Sequence, residues 1–332
     1  MTNLHTQALE RSPSKVVVWL PLLATLGYPF LLMLFHTQIN QGNGPAAVLL
    51  LLVASAVPLL GMLVASRPGL PLGLRRLAYA CVVAPTLYVF LGVVQALLGS
   101  SLPDPLVWCV LWSLAALLAA RRGRVLETER QLRPGLGRWR VAHGISALVL
   151  CLYVLFHLGN HLTGLVGPAL HAEVMDAGRT VYRAWFIEPL LVLAFVFQAV
   201  SGLYLAWHWS AKRQDLLRTF QIATGVYLAV FVLGHMNSVF IYARTYLGIP
   251  TDWNFATGAP TGLLLDPWNI RLVPHYTLGV FFVLGHLLAG LRVVLEAHGV
   301  APGRVRGLWY GGMFASALVA LAIIAGMLGL RL

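Results

Sequence analysis

A chain of 332 residues that is 59% hydrophobic and only 10% charged carries more apolar surface than a soluble domain can bury. Its formal charge of +12 raises the question of nucleic acid, but the cations sit in loops between long apolar runs, which argues for a bilayer and against a nucleic-acid partner. Crossing ~30 Å of hydrocarbon takes ~20 apolar residues in a helix, and nine runs approach or exceed that length, near 17–38, 46–66, 75–98, 105–121, 141–166, 186–210, 217–246, 272–297 and 308–330. The fold class expected is therefore an all-α polytopic membrane protein with nine transmembrane helices.

The first run follows Arg11 and Lys15 as a signal peptide would, but it is too long for an h-region and no small-x-small site follows, so it reads as a retained span. Residues 1–121 then form an N-terminal four-helix bundle, with 46–66 and 105–121 as its shortest spans. Its polar exceptions are few, chiefly His36, Gln38 and Gln95. Cys81, Cys109 and Cys151 lie within runs, and with no CxxC or CxxCH they read as buried thiols, not as a redox dithiol or a covalent haem attachment. A charged stretch with Pro134, Gly135 and Gly137 reads as a cytoplasmic linker over 122–140. Residues 141–332 supply the last five spans as a C-terminal bundle.

The basic residues alternate with the loops. Arg11 and Lys15, Arg67, Arg75 and Arg76, the group from Arg121 to Arg140, Lys212, Arg213 and Arg218, and Arg304 and Arg306 share one side. Arg179, Arg183, Arg244, Arg271 and Arg331 are left on the other. The positive-inside rule makes the first side, with the N-terminus, cytoplasmic, in a membrane of the bacterial cytoplasmic type. The halves also look like distant copies of one unit, since YPFLLMLFH ending at His36 parallels LCLYVLFH ending at His157. The one long external loop, 247–271, reads as an ordered cap with Trp253 and Trp268 at the interface, either roofing a pocket or simply connecting spans.

Histidines within the spans carry the chemistry. His157 lies ~16 residues into an outward helix, ~24 Å deep, and His235 lies ~18 residues into another, ~27 Å deep. Ionisable groups at that depth are costly and read as functional, and two imidazoles at one level suit axial ligation of haem iron. Interhelical hydrogen bonding is the plainer use of each alone, and zinc lacks a third ligand there. Gly159 and Gly234 adjoin the pair and are expected to make room for a flat macrocycle. His161, one turn beyond His157, is placed to meet a haem propionate or a quinone oxygen. His286 sits near the middle of the eighth span, with Gln198 at the matching level of the sixth. His143, His208 and His298 fall near the cytoplasmic interface, and His171 and His275 near the external one.

The segments RVAHGISALVLCLYVLFHLGNH, FQAVSGLYLAW, FQIATGVYLAVFVLGH and VLGHLLAGL appear in that order over about 140–330. This part of the chain resembles the five-helix cytochrome b membrane anchor of succinate dehydrogenases and fumarate reductases, the form with two b-type haems in one subunit. The front four helices have no counterpart there. The resemblance implies haem b and quinone as cofactors, and iron–sulfur and flavoprotein subunits as partners. It implies that His157 and His235 ligate the haem farther from the soluble subunits, and that His286 matches a ligand of the nearer haem. Gln198 stands where that second ligand's partner is expected, so either the second haem is missing or His286 finds another partner. His208 lies ~15 Å farther along the helix and does not replace it. The resemblance also points to Glu188 as an acidic group handling quinone protons, although a helix-capping carboxylate is the simpler role. Arg183, Tyr182 and Trp185 are candidates to pair with propionates or line the pocket.

Three functions compete on these residues. One is an electron-transfer subunit passing electrons between a succinate dehydrogenase/fumarate reductase-like partner and quinone, an enzyme only as part of an oxidoreductase complex. The second is a stand-alone haem-binding or sensory membrane module with no dehydrogenase partner. A transporter fits least, because the spans lack paired carboxylates and clearly broken helices.

Overall fold

The structure, a computed structural model, describes residues 15–122 and 135–332. Arg11, Arg124, Arg130, Arg133 and most of the expected linker 122–140 lie outside the described residues. All regular structure among the described residues is helical. Eight helices are long and apolar enough to cross a bilayer: α1 (Lys15–Asn40), α2 (Gly44–Ala65), α5 (Asp104–Arg122), α6 (Leu136–Thr163), α8 (Ile187–Trp209), α9 (Leu216–Met236) with a π-helical continuation (Asn237–Leu247), α12 (Leu272–Ala297) and α13 (Pro302–Met327). The chain is a multi-pass integral membrane protein. Its outer surface is that of a protein solvated by lipid: α6 turns Val141, Ile145, Leu148 and Leu152 outward, and α8 turns out Leu190, Leu193 and Val200.

The run expected as one span at 75–98 is two helices, α3 (Leu72–Cys81) and α4 (Ala84–Leu97), bent by 70°. Pro85 causes the break, since it has no N–H for the Cys81 carbonyl and its ring crowds that oxygen. The Val82 and Val83 amides instead close tight turns onto the Tyr79 and Ala80 carbonyls, at 3.3 and 3.1 Å. Each half is ~15–21 Å long and too short to cross alone. The expected linker also ends early. Helix α6 starts at Leu136, five residues before the expected 141, because Gly135 turns the chain with φ +98° and Leu136 is buried.

The front and back halves share one core, so the expected division into separate four- and five-helix bundles does not follow the packing. Met62, Tyr79 and Val82 from the front pack with Ile222, Tyr227 and Phe282 from the back. Tyr28, Tyr88 and Trp108 form a second cluster with Ile270. Arg271, counted from the sequence among the few basic residues of the external side, is buried at this junction. Its Nη1 lies 2.6 Å from Asp104 Oδ2 on α5, and its guanidinium sits over the Tyr88 and Trp268 rings at 4.4 and 4.7 Å. Gln95 donates a hydrogen bond to the other Asp104 oxygen.

Loop contacts define two ends of the bundle. At one, His36 bonds the Leu265 carbonyl at 3.0 Å and the Leu332 amide bonds Leu165 at 2.9 Å. At the other, Arg213 donates to the Ser66 carbonyl at 3.2 Å and Arg76 to Trp207 at 3.1 Å. The first end carries an amphipathic surface helix, α7 (Pro168–Tyr182), and the cap, with α10 (Trp253–Thr257), α11 (Gly262–Leu265) and a 3-10 turn (Asn269–Arg271). Trp253 is not an interfacial anchor in this cap. It is only 6% exposed, packed onto Gly164.

Candidate functional site

Three helical stripes face one another beneath the cap. On α6, Tyr153, His157 and His161 recur every four residues and so share a face. On α9, Phe231 and His235 do the same, and on α12 His275 and Gly279 complete the set. These stripes enclose a cavity of about 900 Å³ whose walls are mainly aliphatic and aromatic. Val89, Val93 and Ala96 of α4 close one side, so the front half forms part of the site. The cap closes the top through Thr251, Asp252, Trp268 and their neighbours.

His157 and His235 meet across this space with ring centroids 6.0 Å apart and planes at 68°. Their neighbours position them. Tyr153 stacks near-parallel to His157 at 5.7 Å, and Phe231 stacks on His235 at 5.9 Å with planes 2° apart. From His157 a row of rings runs toward the cap: His161 at 4.7 Å, His171 at 5.3 Å from His161, and Trp253 at 4.6 Å from His171. His275 sits on the other side of Phe231, 4.6 Å from it. Nδ1 of His161, His171 and His275 is buried without a hydrogen-bond partner.

The mouth is cationic. Arg179 and Arg183 reach the Thr251 carbonyl and hydroxyl at 3.0 and 2.9 Å, and Arg244 clasps Glu188 through two contacts of 2.6 and 3.4 Å. Glu188, Arg183 and Tyr182 all line the cavity, Glu188 as a paired carboxylate. Trp185 does not: it is 87% exposed and meets the edge-on Phe186 ring outside. Burial pushes the His171 imidazole below its ordinary pKa, Arg179 adds to the effect and Asp252 opposes it.

No family model, curated protein or solved structure matches this chain. Its donor set therefore has to be judged by chemistry. Among the described residues no three His, Cys, Asp or Glu side chains converge as a metal-ion site. The His157 and His235 imidazoles remain, and their centroid separation of 6.0 Å is close to the ~6 Å that two nitrogens each ~2.0 Å from one metal atom would require. A macrocycle that brings its own equatorial nitrogens needs nothing more from the protein than this pair, an apolar slot and cations for its carboxylates.

The expected glycines play no part in that slot. Gly159 has no heavy atom within 4 Å of an added Cβ and is exposed, while Gly234 backs onto Phe90 of α4. As immediate or near neighbours on their helices they point away from the histidine faces. Gln198 and His286 lie outside the cavity and apart from one another's expected roles. Gln198 Nε2 lies 3.0 Å from His143 Nε2, and His143 Nδ1 lies 2.8 Å from the Ser201 hydroxyl. His286 Nδ1 lies 3.0 Å from the Thr224 hydroxyl and is near enough to His143 to interact electrostatically. A Cβ added at Gly202 would come 3.2 Å from His143, and one at Gly225 would come 3.0 Å from His286. Each of these imidazoles packs closely against a glycine of the neighbouring helix.

Sequence reasoning set aside His143, His171 and His275 as interfacial. For His171 a signal existed: His171, Met175, Arg179 and Tyr182 follow a helical period, and all four line the cavity. His275 carried no such mark, because its burial comes from packing across helices, against Phe231 of α9.

Proposed function

We propose that this protein is a membrane-bound b-type cytochrome that exchanges electrons with quinone. The observation that carries the reading is the His157–His235 pair, 6.0 Å apart across a cavity of about 900 Å³. His157 and His235 would hold haem iron, and Arg179, Arg183 and His161 are the groups near enough to the cavity mouth to meet propionates or a quinone oxygen. Haem bound there would supply one-electron redox chemistry. Tyr153 and Phe231 hold the two imidazole planes, the cap and α4 supply two of the cavity's walls, and the Arg244–Glu188 pair keeps one cation from competing at the mouth.

The working arrangement is a nine-pass chain in a bacterial-type cytoplasmic membrane. Its third span is the broken pair α3–α4, and the arginine-rich end is cytoplasmic. Support comes from the segregation of Arg67, Arg76, Arg138, Arg140, Arg213 and Arg304 to the end opposite the cap. In that frame the protein serves as the membrane subunit of a succinate dehydrogenase/fumarate reductase-like complex with iron–sulfur and flavoprotein partners. A stand-alone haem-binding module is favoured by one observation, that α4, which has no counterpart in such anchors, walls the cavity. A second haem at His286 would need a partner released from its present contacts, since Gln198 and both ring nitrogens of His143 are already engaged.

A reduced-minus-oxidised spectrum of the purified protein with haem quantification tests the reading. A sharp α-band that is lost in both His157→Ala and His235→Ala is the expected result, and a haem-free protein refutes it. His286→Ala leaves stoichiometry unchanged if one haem binds and lowers it if two do. Reduction of the bound haem by quinol separates electron transfer from simple binding.

A further inference from the structure

Away from the histidine cavity, the arginine-rich end holds a groove of about 470 Å³ between the start of α9, the end of α12 and the start of α13. Leu217, Val300, Pro302 and Val305 form its apolar wall, and Arg292, Arg306, Trp309 and Tyr310 its rim, with Glu296 as the one carboxylate among the lining residues. Trp309 is fixed edge-on against Phe220, with centroids 5.7 Å apart. Arg292 meets only the half-exposed Glu296, at a long 3.6 Å. Among the described residues Arg306 and Arg304 pair with no carboxylate. Arg218 stands within electrostatic range of both Arg140 and Arg292, and the acids nearby are Asp215 and Glu296. The rim is thus a cationic surplus laid over an apolar wall, with Trp and Tyr at the depth where such rings mark the membrane interface.

We infer that this groove binds an anionic phospholipid, with its phosphate on Arg292 and Arg306 and an acyl chain along Leu217, Val305 and Trp309. Charge complementarity selects the headgroup, because Arg306, which has no carboxylate partner among the described residues, and Arg292, held only by its long contact to Glu296, attract phosphate through charge-assisted hydrogen bonds. The apolar wall selects a lipid over a free anion, since it has nothing to offer a hydrated phosphate.

Native mass spectrometry of the full chain in micelles, titrated with phosphatidylglycerol or with phosphatidylcholine of the same acyl chains, tests the site. Wild type should retain phosphatidylglycerol preferentially, and R292Q/R306Q should lower that preference about 25-fold, at roughly fivefold per arginine. R67Q/R121Q, which removes the same charge elsewhere on this end, should keep it. Equal loss in both double variants, or no preference in wild type, overturns the site in favour of diffuse surface charge. Displacement of the lipid by millimolar glycerol phosphate overturns the lipid assignment in favour of a small anion. Should R292Q/R306Q fail to fold, R306Q alone, at an exposed position, gives the same comparison with the fivefold loss expected.

Discussion

Replacing Arg271 by Met should weaken the whole bundle, because this side chain ties the front helices to the cap. Its side chain is 8% exposed and that of Asp104 16%, so both charges are largely withdrawn from water and from screening. Removing the cation leaves the Asp104 carboxylate with only the Gln95 amide, among aromatic rings. Breaking a buried pair in this way costs about 3–5 kcal/mol, and loss of the two ring contacts contributes within that total. Met preserves most of the stem's packing, so the cost reports the charge. The unfolding equilibrium should shift roughly 150- to 5,000-fold toward the unfolded state. Trp108, whose ring lies 5.3 Å from Tyr88, makes intrinsic fluorescence a suitable probe during denaturant titration in mixed micelles. Asp104→Asn with Arg271→Met should recover at least half of the loss, since no uncompensated charge remains. A single variant within ~0.5 kcal/mol of wild type, or strict additivity in the double variant, would refute the reasoning.

Other residues make further claims. Trp253→Ala removes the buried ring that seats on Gly164 and His171, and should cost about 3–5 kcal/mol and admit water to the cavity, read by thermal unfolding and by faster amide exchange in the cap. His171 has a depressed pKa in the folded state, so the unfolded chain binds the extra proton first. Its contribution is therefore constant above about pH 6.5 and is lost as pH falls below that value toward the folded pKa. His171→Asn should show a shallower acid limb than wild type in a pH series of unfolding midpoints, and parallel curves would sink that assignment.

Much of the site could be read along single helices. His157 and His235 stand out because an imidazole deep in an apolar run is costly wherever the helix packs, and their equal depth follows from a rise of ~1.5 Å per residue. Rotation about the helix axis is a different matter. Gly159 and Gly234 are close in sequence to the histidines, yet they face lipid and Phe90, because neighbouring helical residues point in different directions. The break at Pro85 was legible from proline chemistry, and the 75–98 span was read as continuous only because hydropathy does not register a missing N–H.

Single-helix properties account for the long apolar helices, the spacing of arginines between them and the positions of His157 and His235 along their own helices. All three depend on local composition and on a fixed helical rise. Packing between helices set which side chains meet. It turned Gln198 toward His143, buried Arg271 against Asp104 from the other half, sank Trp253 into the cap and made α4 a wall of the cavity. These pairings join residues as far apart in the chain as Asp104 and Arg271. They depend on how the helices are rotated and packed against one another, which a helix's own hydropathy does not encode.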